Sequence, residues 1–108
     1  MIRSALIVSL MLAATPTLAH RLVIYAYAAG GEVIVEARFS NQKPAQTGSV
    51  TVAAEDETVL AEAELDPSGE TRIPISDSFA PGVIVTVKTG EGHEDYWVLT
   101  PDDIEAGK

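Results

Sequence analysis

The sequence predicts one small all-β domain, an antiparallel β-sandwich of seven strands that follows a secretion signal. Three observations predict this fold. Short runs rich in Val, Ile, Thr and aromatic residues recur along the chain, turn signals separate them at regular spacing, and no run after residue 20 is a convincing amphipathic helix. Of the 108 residues, the 89 that follow the predicted signal suffice for a single small domain with a modest core.

Residues 1–19 have the features of a cleaved signal peptide. Arg3 supplies a positive charge, Ala5–Ala14 is an apolar run too short to cross a bilayer, and Thr17–Ala19 is a suitable cleavage site. No second apolar run of membrane length follows. We therefore expect a mature protein that begins at His20, has no membrane span of its own, and is exported as a soluble protein to the periplasm.

The strands follow from local composition. Glu32–Ser40 alternates so that Val33, Val35, Ala37 and Phe39 share an apolar face, with Ile34 on the face toward water. Thr58–Leu65 has helix-like composition, yet its position between strands favours pairing. The seven predicted strands are Arg21–Ala28, Glu32–Ser40, Ser49–Ala54, Thr58–Leu65, Thr71–Ile75, Val83–Lys88 and His93–Leu99.

Turn residues set the boundaries of these strands. Pro44 places a loop after the second strand, Asp66–Gly69 is a strong turn signal, and Pro74 indicates an edge strand or a bulge. The domain is expected to span residues 20–100, with a polar, frayed tail over residues 101–108. The predicted core comprises Val33, Val35, Ala37, Phe39, Val83, Val85, Val87 and Trp97.

Charge and cysteine content exclude several functions. All 16 acidic residues but only six of the seven basic residues follow residue 19, so the mature chain carries a formal charge of −10, six minus sixteen. Nucleic acids and anionic membrane surfaces require basic patches, so neither is an expected partner. The absence of cysteine excludes disulfides, thiolate metal sites and cysteine nucleophiles.

Two histidines are candidate metal ligands. A mature N-terminal His20 offers both its α-amine and its imidazole, and His93 opens the last strand after a Gly-rich hairpin tip. If both lie at one end of the sandwich, they supply three nitrogens in a histidine brace, a donor set that suits Ni(II) and Cu(II). The alternative is that cleavage leaves His20 first by chance and that His93 is an ordinary polar hairpin residue.

The residues around His93 are acidic. Glu91, Glu94 and Asp95 are candidates for an additional oxygen ligand, although a solvated acidic face explains them equally well. Four aromatic residues in the first and last strands are candidates for stacking on a sugar or a partner, or for ordinary sheet packing: Tyr25, Tyr27, Tyr96 and Trp97. No phosphate-binding loop or convincing catalytic triad is present, so we expect no enzymatic activity.

Five motifs together resemble a known family. The mature chain opens with His20 and Leu22, continues with the VIVEARFS strand of residues 33–40, and then has Pro44-Ala45, the Asp66–Gly69 turn and Gly92-His93. This order resembles the small exported accessory component of cobalt/nickel energy-coupling-factor ABC transporters, the CbiL/NikL type. The resemblance covers nearly the whole mature domain, but each motif is short.

The resemblance implies a transthyretin-like or carboxypeptidase-regulatory-like sandwich and a role in periplasmic nickel or cobalt handling with the membrane subunits of such a transporter. The family's Asp-Gly after Phe-Ser is replaced here by Asn41-Gln42. Some family members carry a C-terminal membrane anchor that this sequence lacks, so we expect a soluble protein or docking through a protein contact.

Three functions follow from the sequence. The first is a metal-binding accessory protein for nickel or cobalt uptake. The second is an interaction module that docks on a larger membrane assembly without metal. The third is a periplasmic copper-binding protein that uses the same histidine brace.

Overall fold

Residues 21–108 form two antiparallel β-sheets packed face to face in the computed structural model, which describes these residues with the exception of the Glu91 side chain. The predicted signal peptide and His20 lie outside the described residues. The strands are β1 (Leu22–Ala29), β2 (Glu32–Phe39), β3 (Ser49–Ala53), β4 (Val59–Glu64), β5 (Glu70–Pro74), β6 (Val83–Lys88) and β7 (Glu94–Leu99). The predicted seven-stranded sandwich is confirmed.

The strand order divides these elements into a three-stranded sheet, β1-β2-β5, and a four-stranded sheet, β4-β3-β6-β7. Three connections cross from one sheet to the other, as in immunoglobulin-like sandwiches: β2–β3, β4–β5 and β5–β6. β4 pairs with β3, so the helix-like composition of Thr58–Leu65 yields to pairing as predicted. Pro74 ends β5, an edge strand, where its missing N–H leaves no ladder bond unmade.

The core lies between the inward faces of the two sheets. Six of the eight predicted core residues are buried: Val33, Val35, Ala37, Val83, Val85 and Val87. Phe39 is half-buried and packs against the margin of this cluster. Phe79 joins the core from a short 3₁₀ turn, Asp77–Phe79, in the crossing between β5 and β6.

The prediction that Trp97 lies in the core is wrong. The register places Trp97 opposite Val85, on the inward side of β7. β7 is an edge strand, however, so no further strand among the described residues covers the outer part of the indole, and 36% of the residue is exposed. Its ring instead contacts Tyr25 of β1 edge-on, with the ring centroids 5.0 Å apart.

Ile34 is more buried than predicted, whereas Trp97 is less buried than predicted. Alternation places it on the outward face of β2, yet it is buried. Its cross-strand neighbours are Tyr27 and Arg72, two long side chains that flank it on either side. Ion pairs with Glu70 at 3.0 Å and Glu32 at 3.4 Å hold the Arg72 side chain along this face of the sheet.

The expectation of a frayed C-terminal tail is also wrong. Residues Pro101–Ala106 form a helix, α1, and Ile104 is buried against the sandwich. The Thr100 hydroxyl accepts from the Asp103 N–H, and the Asp103 carboxylate accepts from the Thr100 N–H. This capping box, with Pro at the first helical position, is a helix-start signal that the sequence already contains. No helix within residues 21–108 is long and apolar enough to span a membrane.

Candidate metal centre

β1 and β7 lie side by side at the edge of the sandwich and begin at the same end. Midway along them, the rings of Tyr25 and Trp97 are in contact. At their starts, the His93 ring lies edge-on to Phe39 with centroids 5.4 Å apart, and Phe39 is the cross-strand partner of Leu22. The two contacts follow one another in the same order along both strands, from Leu22 to Tyr25 in β1 and from His93 to Trp97 in β7, so β1 and β7 run in the same direction.

His93 is held in place by its backbone and its ring. Its carbonyl accepts from the Thr89 N–H at 2.9 Å, which closes the hairpin around the short 3₁₀ turn Gly90–Gly92. The imidazole is half-buried against Phe39. Neither ring nitrogen has a hydrogen-bond partner among the described residues.

The carboxylates around His93 divide between the two faces of β7. Asp95 shares the inward face with His93, and its Oδ1 accepts from the Tyr96 N–H at 2.8 Å. Glu94 lies on the outward face, opposite Lys88. The Glu91 side chain lies outside the described residues. Of the predicted oxygen ligands, Asp95 is therefore the one that the strand places on the side of His93.

Two hydrogen bonds to Ser40 hold the backbone of Arg21, the residue that follows His20. The Arg21 N–H donates to Ser40 Oγ at 3.2 Å, and the Ser40 N–H donates to the Arg21 carbonyl at 2.8 Å. His20 itself lies outside the described residues. Among residues 21–108 without the Glu91 side chain, no three His, Asp or Glu side chains are grouped closely enough to hold a metal ion. A metal centre at this end would therefore need a ligand from outside the described groups, and the predicted ones are His20 and Glu91.

Of the four aromatic candidates, Tyr25, Tyr27 and Trp97 form one cluster and Tyr96 lies apart from it. Tyr25 stacks on Tyr27 with centroids 5.3 Å apart and meets Trp97 at an interplanar angle of 85°. Tyr96 lies on the opposite, outward face of β7 and is highly exposed. Their rings do not form one plane, so they do not make the flat platform that sugar stacking requires.

Comparisons with known proteins support the fold. No protein-family model and no curated protein matches the sequence. A crystal structure of native alpha-2-macroglobulin from Escherichia coli, spanning domains NIE-MG1, is similar with a TM-score of 0.62 and 15% identity. The match covers 74% of this chain and 37% of that one. This likeness concerns the sandwich alone, and the transthyretin-like subtype remains a prediction.

Proposed function

We propose that this protein is an exported, non-enzymatic accessory protein for nickel or cobalt uptake, which binds Ni(II) or Co(II) through His20 and His93. The observation that carries the proposal is the common start of β1 and β7. Neither strand start alone supplies enough donors. Together they offer an N-terminal amine, two imidazoles and the carboxylate of Asp95.

The alignment of the two strands supports a shared site for these donors. Adjacent strands that run in the same direction rise by the same ~3.3 Å per residue, so positions stay matched along their length. Four residues back from the Tyr25–Trp97 contact are Arg21 and His93. His20 is the next residue back in the sequence.

Strand periodicity favours the same end and the same face. His20 is in phase with Leu22 and Ile24, which are buried on the inward side of β1. His93 is in phase with Trp97 on the inward side of β7. Both imidazoles are therefore expected on the sides of their strands that face the interior, at the open end of the sandwich.

Calorimetry on protein that begins at His20 tests the site. We expect one Ni(II) or Co(II) per chain. One extra residue before His20 converts the amine to an amide, and His93→Ala removes an imidazole. Each change should weaken binding by at least about tenfold, since even a supporting group around a metal is worth that much. Affinity should also fall as pH is lowered, because protonated nitrogens do not coordinate.

Glu57→Ala is the matched control, since Glu57 lies in the exposed β3–β4 turn and should not affect binding. Equal binding by the native and extended N-termini would remove His20 from the site. Clear preference for Cu(II) in competition, with no cellular role in nickel or cobalt accumulation, would instead support the copper-binding alternative. Mass spectrometry of the exported protein should give His20 as its first residue.

A further inference from the structure

The two sheets have four edge strands, and three of them, β1, β5 and β7, are protected against pairing with a further strand. β1 and β7 lie alongside each other, and the inward carboxylate of Asp95 accepts from the edge-facing N–H of Tyr96. In β5, Pro74 has no N–H, and the N–H and the carbonyl of Glu70 are both hydrogen-bonded to Asp66. Covered edges, inward charges and prolines are common means of preventing edge-to-edge pairing.

β4, the fourth edge strand, contains no proline, and its edge-facing backbone groups are unpaired among the described residues. The Leu65 N–H donates to the Gly48 carbonyl at 3.0 Å, which fixes the phase of the β3–β4 ladder. Alternation then directs the backbone groups of Ala63 toward β3 and those of Glu62 and Glu64 toward the open edge. Free donors and acceptors in a row are a template for an added strand.

The side chains of β4 define what an added strand must carry. Glu62 and Glu64 are exposed on the outward face and form no ion pair with another described side chain. A hollow of about 430 Å³ borders both glutamates and extends over β3. On the inward face, Ala61 and Ala63 are half-buried against the margin of the core. An added strand would therefore meet carboxylates on one face and small apolar side chains on the other.

We propose that β4 binds an extended segment of another protein as a fifth strand of its sheet, with Lys or Arg beside Glu62 and Glu64 and apolar residues between them. Opposite charges on neighbouring strands stabilise a sheet, whereas like charges directly opposite destabilise it. A second copy of the chain does not fit, because antiparallel pairing of β4 with itself, centred on Glu62 or Ala63, places Glu opposite Glu. The two carboxylates in register, rather than the net charge of the chain, select the partner.

β4 and β7 are the opposite edges of the four-stranded sheet, so this edge lies away from the candidate metal centre. Binding at β4 involves no metal ligand and is independent of the proposed function. Metal-free protein therefore serves for the experiment.

A peptide titration followed by NMR tests the edge. The probe is a six-residue peptide, as long as β4, in which lysine alternates with valine, and a second peptide has glutamate in place of lysine. We expect the lysine peptide to bind at least about tenfold more tightly. It should also slow hydrogen exchange of the Glu62 and Glu64 amides at least about tenfold, because both N–H groups become hydrogen-bonded.

Three outcomes of this titration would overturn the proposal. The first is that neither peptide binds, and the second is that both bind equally. The third is binding of the lysine peptide that leaves the Glu62 and Glu64 amides unchanged, since this would show attraction to the acidic surface alone.

Glu62→Pro and Glu62→Thr separate the backbone from the charge. Both remove the carboxylate, but proline also removes the edge-facing N–H. This N–H takes no part in the β3–β4 ladder, so the sheet should tolerate proline as β5 tolerates Pro74. We expect Glu62→Thr to weaken binding of the lysine peptide about threefold, and Glu62→Pro to weaken it at least about fivefold more. Equal weakening by the two variants would exclude strand addition.

A charge reversal decides the matter should Glu62→Pro fail to fold. Glu62→Lys combined with Glu64→Lys should reverse the preference between the two peptides, because the pairs of opposite charge are then formed with glutamate. An unchanged preference for the lysine peptide would overturn the proposal.

Discussion

Strands β2 and β7 both direct alternate residues toward the core, but they differ in burial. In β2, the inward residues Val33, Val35 and Ala37 are fully buried. In β7, Trp97 stays partly exposed and Leu99 is buried. β2 has hydrogen-bonded neighbours on both sides, whereas β7 has β6 on one side only. Alternation therefore predicts which face a side chain takes, and the position of the strand decides how well that face is covered.

The largest expected change in stability comes from introducing the same charge into each strand. Val35 is fully buried, so Val35→Asp places a carboxylate where no partner exists and should destabilise the domain by more than about 4 kcal/mol. Val98 is 51% exposed, and Val98→Asp should cost less than about 1 kcal/mol. Urea unfolding measures both. Similar losses would show that Val98, on the outward face of β7, is covered in solution.

A pair of glycines extends the comparison to the turns. Gly69 has φ +83°, and a Cβ there would lie 2.6 Å from the Ala37 carbonyl oxygen of β2. Gly92, just before β7, has φ +81° with open space around it. We expect Gly69→Ala to cost about 2–3 kcal/mol and Gly92→Ala about 1 kcal/mol, because only the first adds a clash to the backbone strain. Equal losses in thermal unfolding would contradict this difference.

Truncation of Trp97 measures how far the edge position weakens its contribution. A fully buried tryptophan loses about 3–5 kcal/mol on truncation to alanine, and the partial burial here lowers the expected loss to about 1–2 kcal/mol. Tyr25→Ala combined with Trp97→Ala should cost less than the sum of the two single changes, because the rings contact each other. A loss of more than about 3 kcal/mol from Trp97→Ala alone would mean that β7 is covered in solution.

The smallest expected effect is a pH dependence of domain stability that arises in the Asp66–Gly69 turn, which hydrogen-bonds to β2. The Ser68 hydroxyl, followed by the Glu70 N–H, lowers the pKa of Asp66 through hydrogen bonds to its carboxylate. The Gly69 carbonyl of this turn accepts from the Ala37 N–H of β2 at 2.8 Å. These hydrogen bonds stabilise the ionised carboxylate of Asp66 in the folded protein. Asp66 therefore contributes its stability above the ordinary carboxyl pKa, and this contribution is lost as pH falls through the lowered pKa.

Asp66→Asn should remove this acid-side loss of stability, which unfolding measured at several pH values would show. Asp77→Asn is the control, because the Asp77 carboxylate accepts no hydrogen bond from a described group. A pH profile unchanged by Asp66→Asn would assign the acid sensitivity to other carboxylates.

Local sequence determined most of the fold of this protein. Alternation in residues 33–39 and β-branched residues in 83–87 predict the inward faces of β2 and β6, since side chains alternate along any strand. Asp66–Gly69 predicts its turn, since Asp66 and Gly69 have the conformational preferences that the turn needs. The capping box at Thr100–Asp103 equally predicts α1, although polar composition alone suggests a frayed end.

Tertiary structure decided what depends on neighbours distant in sequence. The exposure of Trp97, the burial of Ile34 and the docking of Ile104 each depend on which strand or helix lies alongside, and no local pattern contains that order. The candidate site shows the same division. The sequence identifies His20 and His93 as candidate ligands, but only the packing of β1 against β7 shows that the strands they precede start together.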